Sequence, residues 1–181
     1  LPDDGQGMLG RAAVSMLSTL LSDKDAVAIG PGWGRGMDLS AVIQAILAQT
    51  HAPAVIDADG IIALSKLPDY RRKLPAGTIL TPHPGEAARL IGALSDPIED
   101  AKRLHVLGAT ALLKGASSVV AGESGLYLSA SGCGGMATGG SGDVLSGVIT
   151  SLLGQHVMPL EAAAAGAWIH GAAGDLAARE I

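Results

Sequence analysis

Short apolar runs alternate with longer amphipathic ones along most of this chain. Residues 12–21 predict a helix, and residues 26–30 (AVAIG) predict a buried strand that runs into a Gly-Pro turn. Asp38 stands where a carboxylate could accept from the first N–H groups of a helix reaching to about Gln49. Residues 53–56 predict a second strand, which enters Asp57-Ala58-Asp59-Gly60. A helix is expected over 61–66, and Pro68 and Pro75 bracket a loop. Residues 78–80 predict a strand entering Thr81-Pro82-His83-Pro84, with a helix over 85–91 and Pro84 suited to its first position. A helix over 97–107 and a strand from 110 to 113 follow. Residues 118–121 and 126–128 suggest a hairpin-like pair, and 144–153 and 161–178 predict long Ala/Leu helices.

Strands separated by helices imply βαβ units and a mostly parallel sheet. The near-continuous apolar strands agree, because parallel strands are buried on both faces. No repeat, low-complexity tract or linker divides the sequence, so residues 1–181 read as one α/β domain. In such folds ligands bind at the carboxyl ends of the strands. Four of the expected strands end in polar or Gly-rich sequence, which is where chemistry is expected.

Composition narrows the classes. With 48% hydrophobic and 16% charged residues the chain is not a disordered one. Its 26 glycines follow no collagen period and cluster between apolar runs, as tight loops do. Aromatics are 2% with no Phe, which leaves aliphatic side chains to fill the core and no platform for stacking single-stranded nucleic acid. A net charge of −5 also argues against a nucleic-acid partner. The single Cys133 cannot form an internal disulfide and fits a reducing, cytoplasmic setting. No apolar run reaches membrane-spanning length and no secretory pattern is visible, so no membrane partner is expected. The chain opens on Leu1-Pro2-Asp3-Asp4, which reads as a loop, and a preceding N-terminal part is expected to be missing.

The strongest motif is GMATGGSGDVLSG, residues 135–147. Glycines let a backbone approach a ligand closely, and a helix start offers free N–H groups and a positive dipole end. Gly139, Gly140, Ser141 and Gly142 are therefore placed to hold a phosphate. Asp143 beside that cradle would repel phosphate, but makes sense as the acceptor of a proton from an attacking hydroxyl. The plainer alternative is a helix start with a dipole-favoured carboxylate, and the preceding glycine cluster weighs against it. In LTPHPGEAARL, the residues before proline are held extended, which exposes His83 at a strand end and places Glu86 on the next helix. That pair could bind a polar ligand and a metal-bound water, or could simply complete a strand-to-helix turn. IGPGWGRG, residues 29–36, is a Gly-rich turn without the dinucleotide fingerprint spacing, and Trp33 could cover a site or plug the loop. Asp57 and Asp59 could orient Mg²⁺ through waters, with Asp59 equally a helix cap. Lys114 could neutralise a nucleotide phosphate or sit on a surface turn. His170 and Asp175 read as helix-packing residues.

In their order, GPGWG, DADG, LTPHPGE, LKGASSVVA, GMATGGSGD and HGAAGDLAA resemble the ADP/ATP-dependent NAD(P)H-hydrate dehydratase family, the YjeF C-terminal or carbohydrate-kinase-like domain of the ribokinase-like superfamily. The resemblance spans nearly the whole chain but not the family's N-terminal part. It implies a three-layer α/β/α sandwich and a single dehydratase domain, and it implies roles. Asp143 would be the catalytic base and would also touch substrate. Lys114, Gly115, Ala116, Ser117 and Ser118, with Gly139, Gly140, Ser141 and Gly142, would bind the nucleotide. Gly32, Gly34 and His83 would contact the hydrated nicotinamide. Glu86 would reach Mg²⁺ through water, with His83 standing where related kinases carry Asn, a replacement that favours the dehydratase. Gly134, Ser141 and Gly60 depart from the family's usual Pro, Thr and Ala. ADP or ATP would be the phosphoryl donor, and a homo-oligomer, tetramer included, is implied. The rival expectations are a hydroxymethylpyrimidine- or hydroxyethylthiazole-type kinase and an inactive nucleotide-binding module.

Overall fold

The computed structural model describes residues 2, 5, 9–34, 36 and 38–180. Leu1, Asp3 and Asp4 of the opening segment read as a loop lie outside the described residues. A 3-10 segment, Arg11–Met16, continues into α1 (Leu17–Leu21), so the first expected helix is present but tightly wound in its first half, where Gly10 supplies no side-chain cap. The order is then β1 (Val27–Ile29), α2 (Leu39–Gln49), β2 (Ala54–Ile56), α3 (Ala58–Leu64), β3 (Ile79–Leu80), α4 (Pro84–Ile91), α5 (Pro97–His105), β4 (Thr110–Leu113), β5 (Ser118–Gly122), β6 (Gly125–Ser129), α6 (Ser141–Gly154) and α7 (Pro159–Ala177).

The six strands form one sheet in sequence order. Strands β1 to β4 run parallel, and β5 and β6 return as an antiparallel hairpin, so the sheet is mixed and mostly parallel. Pleated strands send successive side chains to opposite faces. Here Ile29, Ala54, Ile56, Leu80, Ala111 and Leu113 join the core formed with α1 to α5. Val55, Ile79, Leu112 and Val120 join a second core with α6 and α7. That alternation produces three layers, helix on sheet on helix.

Helix starts differ from the sequence reading in detail, α7 beginning at Pro159 rather than 161. Asp38 precedes α2, but its own backbone is already helical (φ −89°, ψ 0°) and its carboxylate makes no capping bond. Its carbonyl accepts from Ala41 and Val42 instead. Helix α3 starts at Ala58, and Asp57 rather than Asp59 caps it, with Oδ1 accepting from the Ala58 N–H at 2.8 Å. Helix α6 starts at Ser141 rather than 144, and its polar first turn carries no apolar signal in the sequence.

Candidate active site at the strand ends

Backbone hydrogen bonds hold the carboxyl ends of the parallel strands in step. Asp57 N–H donates to Ile29 O at 3.0 Å, Thr81 N–H to Ile56 O at 3.1 Å, and Lys114 N–H to Pro82 O at 2.8 Å. Gly30 lies so close to the β2 turn that a Cβ would stand 2.0 Å from Asp57 O. The motifs after β1, β2, β3 and β4 therefore lie side by side on one edge of the sheet.

The start of α6 completes that edge. Gly140 is its N-cap, in the left-handed region at φ 88°, and no side chain caps the helix. Ser141 N–H donates to Thr138 O and Val144 N–H to Gly140 O. Among the described residues the N–H groups of Gly142 and Asp143 have no partner. Free N–H groups at a positive dipole end form an anion-binding geometry. A Cβ on Gly142 would lie 3.5 Å from Lys114 Nζ, so the lysine stands at this helix start. Asp143 lies exposed in the same first turn with no hydrogen-bond partner among the described residues. Gly115, Ala116 and Ser117 form the exposed turn after Lys114, and Ser118 begins β5.

The reading of Asp57 as a Mg²⁺ orienter meets a different geometry. Its carboxylate is 1% exposed and takes three donors: Ala58 N–H, Lys114 Nζ at 2.7 Å and Ser146 Oγ at 2.7 Å. Asp59 is separated from it and lines a cavity of about 170 Å³ with Gly34, Lys66 and Arg89. The two carboxylates are not a pair.

The late HGAAGD segment does more than pack helices, as the sequence reading had it. Positions 170, 171, 174 and 175 form one face of α7, and the Gly-rich loop lies on it. His170 Nε2 is 3.3 Å from Ser141 Oγ, and Asp175 Oδ2 accepts from Gly132 N–H at 2.9 Å, so the two side chains pin the two ends of the loop. A Cβ on Gly171 would stand 2.3 Å from Ser131 Oγ, and one on Gly174 2.2 Å from Met136 Sδ. These two glycines exist as the floor on which the loop rests. Burial pushes the His170 imidazole below its ordinary value, and the hydrogen bond at Ser141 opposes that in part. The signal in the sequence was the i, i+1, i+4, i+5 spacing of His, Gly, Gly and Asp.

At α4 the polar residues serve the helix. His83 Nδ1 accepts from Gly85 N–H at 2.9 Å, which leaves the ring proton on Nε2, 3.4 Å from Glu86 Oε1. Glu86 Oε2 accepts from His83 N–H at 2.9 Å, completing a reciprocal capping box. The carboxylate is buried and the imidazole is half exposed. Gly32 and Gly34 both adopt positive φ, 70° and 74°. Trp33 plugs the loop: it packs on the core and exchanges backbone bonds with Leu9 and Gly30. Arg35 of this motif lies outside the described residues. No hydrogen bond joins His83, Gly32 or Gly34 to Asp143 among the described residues.

A mostly parallel sheet between helical layers, with an uncapped Gly-rich helix start at the carboxyl edge, makes this an α/β protein, and its structural neighbours are ribokinase-like. A family model described as NAD(P)H-hydrate dehydratase matches residues 7–181, and the chain belongs to that family. It is 42% identical over 187 aligned positions to a bifunctional NAD(P)H-hydrate repair enzyme of Moorella thermoacetica, covering 99% of this chain and 35% of that one. It is 43% identical over 165 positions to an ADP-dependent (S)-NAD(P)H-hydrate dehydratase of Neisseria meningitidis, covering 85% of this chain and 55% of that one. The structure of the Bacillus subtilis ADP/ATP-dependent NAD(P)H-hydrate dehydratase, co-crystallized with ATP/Mg²⁺, matches with a TM-score of 0.74 and 34% identity. That match covers 88% of this chain and 58% of the other. The chain thus spans between about a third and three fifths of these relatives.

Proposed function

We propose that this chain carries the nucleotide-dependent dehydration of NAD(P)H hydrate, converting ADP to AMP, or ATP to ADP, with release of phosphate. The observation that carries the reading is the α6 start. It offers two unpartnered N–H groups, a lysine ammonium and a free carboxylate within one turn. In this reading Gly139 to Gly142 and Lys114 to Ser118 hold the nucleotide. Gly32, Gly34 and His83 face the hydrated nicotinamide ring.

Asp143 accepts the proton of the ring hydroxyl as that oxygen attacks the terminal phosphorus of the nucleotide. The bond from that phosphorus to the bridging oxygen breaks, and the shortened nucleotide leaves with the electron pair. The N–H groups of Gly142 and Asp143 and the Lys114 ammonium meet the charge on the transferring group. The phosphorylated ring then eliminates phosphate, a better leaving group than hydroxide, together with a proton from the adjacent ring carbon, which is lost to water, and the C–H electron pair becomes the restored double bond. Mg²⁺, where bound with the nucleotide, would supply positive charge that neutralises the phosphates. The residues fit such an ion: among the described residues Glu86 Oε1 has only its 3.4 Å contact to His83 and could accept from a metal-bound water. A homo-oligomer is part of the reading. Tyr127 on β6 and Trp168 on α7 stand exposed on the same side of the sheet, as an apolar face between copies would. A cytoplasmic location agrees with the single free Cys133.

The test is to incubate the protein with NADH hydrate or NADPH hydrate and ADP or ATP, following near-ultraviolet absorbance and free phosphate. Both are expected to rise together. A stable phosphorylated alcohol without reduced cofactor would place the chain among the kinases. Nucleotide binding with no product of either kind would make it a binding module.

A further inference from the structure

Asp57 is an expensive residue to bury, and its surroundings say what it is for. A carboxylate taken out of water must be both paired and hydrogen-bonded. Asp57 meets that requirement with three donors from three elements: the first residue of α3, the end of β4 and the second turn of α6. Ser146, itself 1% exposed, spends its hydroxyl on Oδ2. Lys114 remains 22% exposed on its side chain, so its ammonium is shared between the buried carboxylate and the solvent side. A Cβ on Gly142 would stand 3.5 Å from that ammonium and 3.7 Å from Asp57 Oδ2. The three groups thus meet under the open start of α6.

A lysine stem has four rotatable bonds and an ammonium without directional preference, so a free Lys114 would sweep a wide volume. A buried ion pair is also weak evidence for stability, since apolar replacements often do as well. We propose that Asp57 is a positioning residue, which holds the Lys114 ammonium beneath the α6 N–H groups so that it is pre-set to meet the terminal phosphates of the nucleotide, with Ser146 fixing the carboxylate in turn. The inference rests on the reading that Lys114 receives nucleotide phosphate. It also assigns Asp57 away from metal binding, since both of its oxygens are already committed.

Electrostatics alone makes the opposite prediction, which sharpens the test. Replacing Asp57 by Asn removes a negative charge near the phosphates, so a simple charge argument predicts tighter nucleotide binding. Positioning predicts weaker binding. The experiment measures ADP and ATP affinity by calorimetry and separate KM values for nucleotide and hydrate. The variants are Asp57→Asn, Ser146→Ala, Lys114→Ala and the double variant Asp57→Asn/Lys114→Ala. Asp57→Asn is expected to weaken nucleotide binding by about tenfold or more, the scale of a lost charge-assisted hydrogen bond. Its KM for hydrate should stay level. Ser146→Ala should act in the same direction and less strongly, and decides the matter if Asp57→Asn does not fold. The double variant should bind no worse than Lys114→Ala alone, because Asp57 acts through the lysine.

Unchanged or tighter nucleotide binding in Asp57→Asn and Ser146→Ala overturns the proposal. So does a double variant whose losses add, or equal losses for nucleotide and hydrate. If Lys114→Ala itself binds nucleotide normally, the underlying assignment of Lys114 is what has failed. If Lys114→Ala weakens binding and neither Asp57→Asn nor Ser146→Ala does, only the positioning role has failed.

Discussion

Two helix starts at the same edge of the sheet make opposite use of their polar residues. Helix α4 satisfies itself: the His83 ring accepts from Gly85 N–H, Glu86 accepts from His83 N–H, and Pro84, having no N–H, needs no acceptor. Helix α6 does not: Gly140 has no side chain to cap with, and the N–H groups of Gly142 and Asp143 stay open. A closed start contributes stability where it stands. An open start leaves that stabilisation to whatever anion arrives. The difference teaches which of two Gly- and Pro-punctuated motifs has backbone donors left over for an anion, even though both contain a carboxylate in the first turn.

The comparison can be broken first at Asp143. Asp143→Asn keeps the volume and the helix start but cannot accept a proton, so turnover should fall by about 10²–10⁴-fold. Nucleotide affinity by calorimetry should stay level or rise slightly. Near wild-type turnover would make Asp143 an ordinary helix-start residue. Gly142→Ala comes next. The new methyl meets Lys114 Nζ and Asp57 Oδ2 at ordinary contact distances, 3.5 and 3.7 Å. Alanine is the better helix former by roughly 0.8–1 kcal/mol, so thermal stability should hold or rise. Nucleotide binding should weaken, because the methyl takes space on the ligand side.

Glu86→Ala should show the reverse pattern. Losing half of the capping box should cost about 1 kcal/mol, read as a lower Tm, with affinity for nucleotide measured without Mg²⁺ unchanged. The smallest effect concerns the tie from α7. His170 has its imidazole held below the ordinary value by burial, so the folded state binds fewer protons than the unfolded one. Its contribution is therefore present above pH about 6.5 and lost as pH falls through the lower folded value. His170→Gln should flatten that part of the stability curve between neutral and acid pH.

The sequence made the layers legible because the strands are short and purely apolar. Val55, Leu112 and Val120 each announce a buried strand, and the structure sends them to the opposite face from Ile56, Leu113 and Ala121. The α6 loop was legible because glycines of that density have few other uses. What stayed hidden depends on distant pairs. Asp57 and Lys114 are far apart in sequence, and nothing local marks Ser146 as the third partner. The strip on α7 was hidden for a different reason. Gly171 and Gly174 look like neutral members of an Ala-rich helix until Ser131 and Met136 are placed against them.

That strip also orders events in time. The core on one side of the sheet is complete with residues up to Ala121, whereas the core on the other side draws on Leu145 to Ala167. A chain leaving the ribosome can therefore assemble the α1 to α5 layer first. The loop at 131–141 is made next, but the residues that hold it, His170 and Asp175, emerge only afterwards. Until α7 docks, the newborn protein has its sheet and its strand-end turns but a loop pinned at neither end. The loop that leads into α6 thus takes its held form only after α7 has been made.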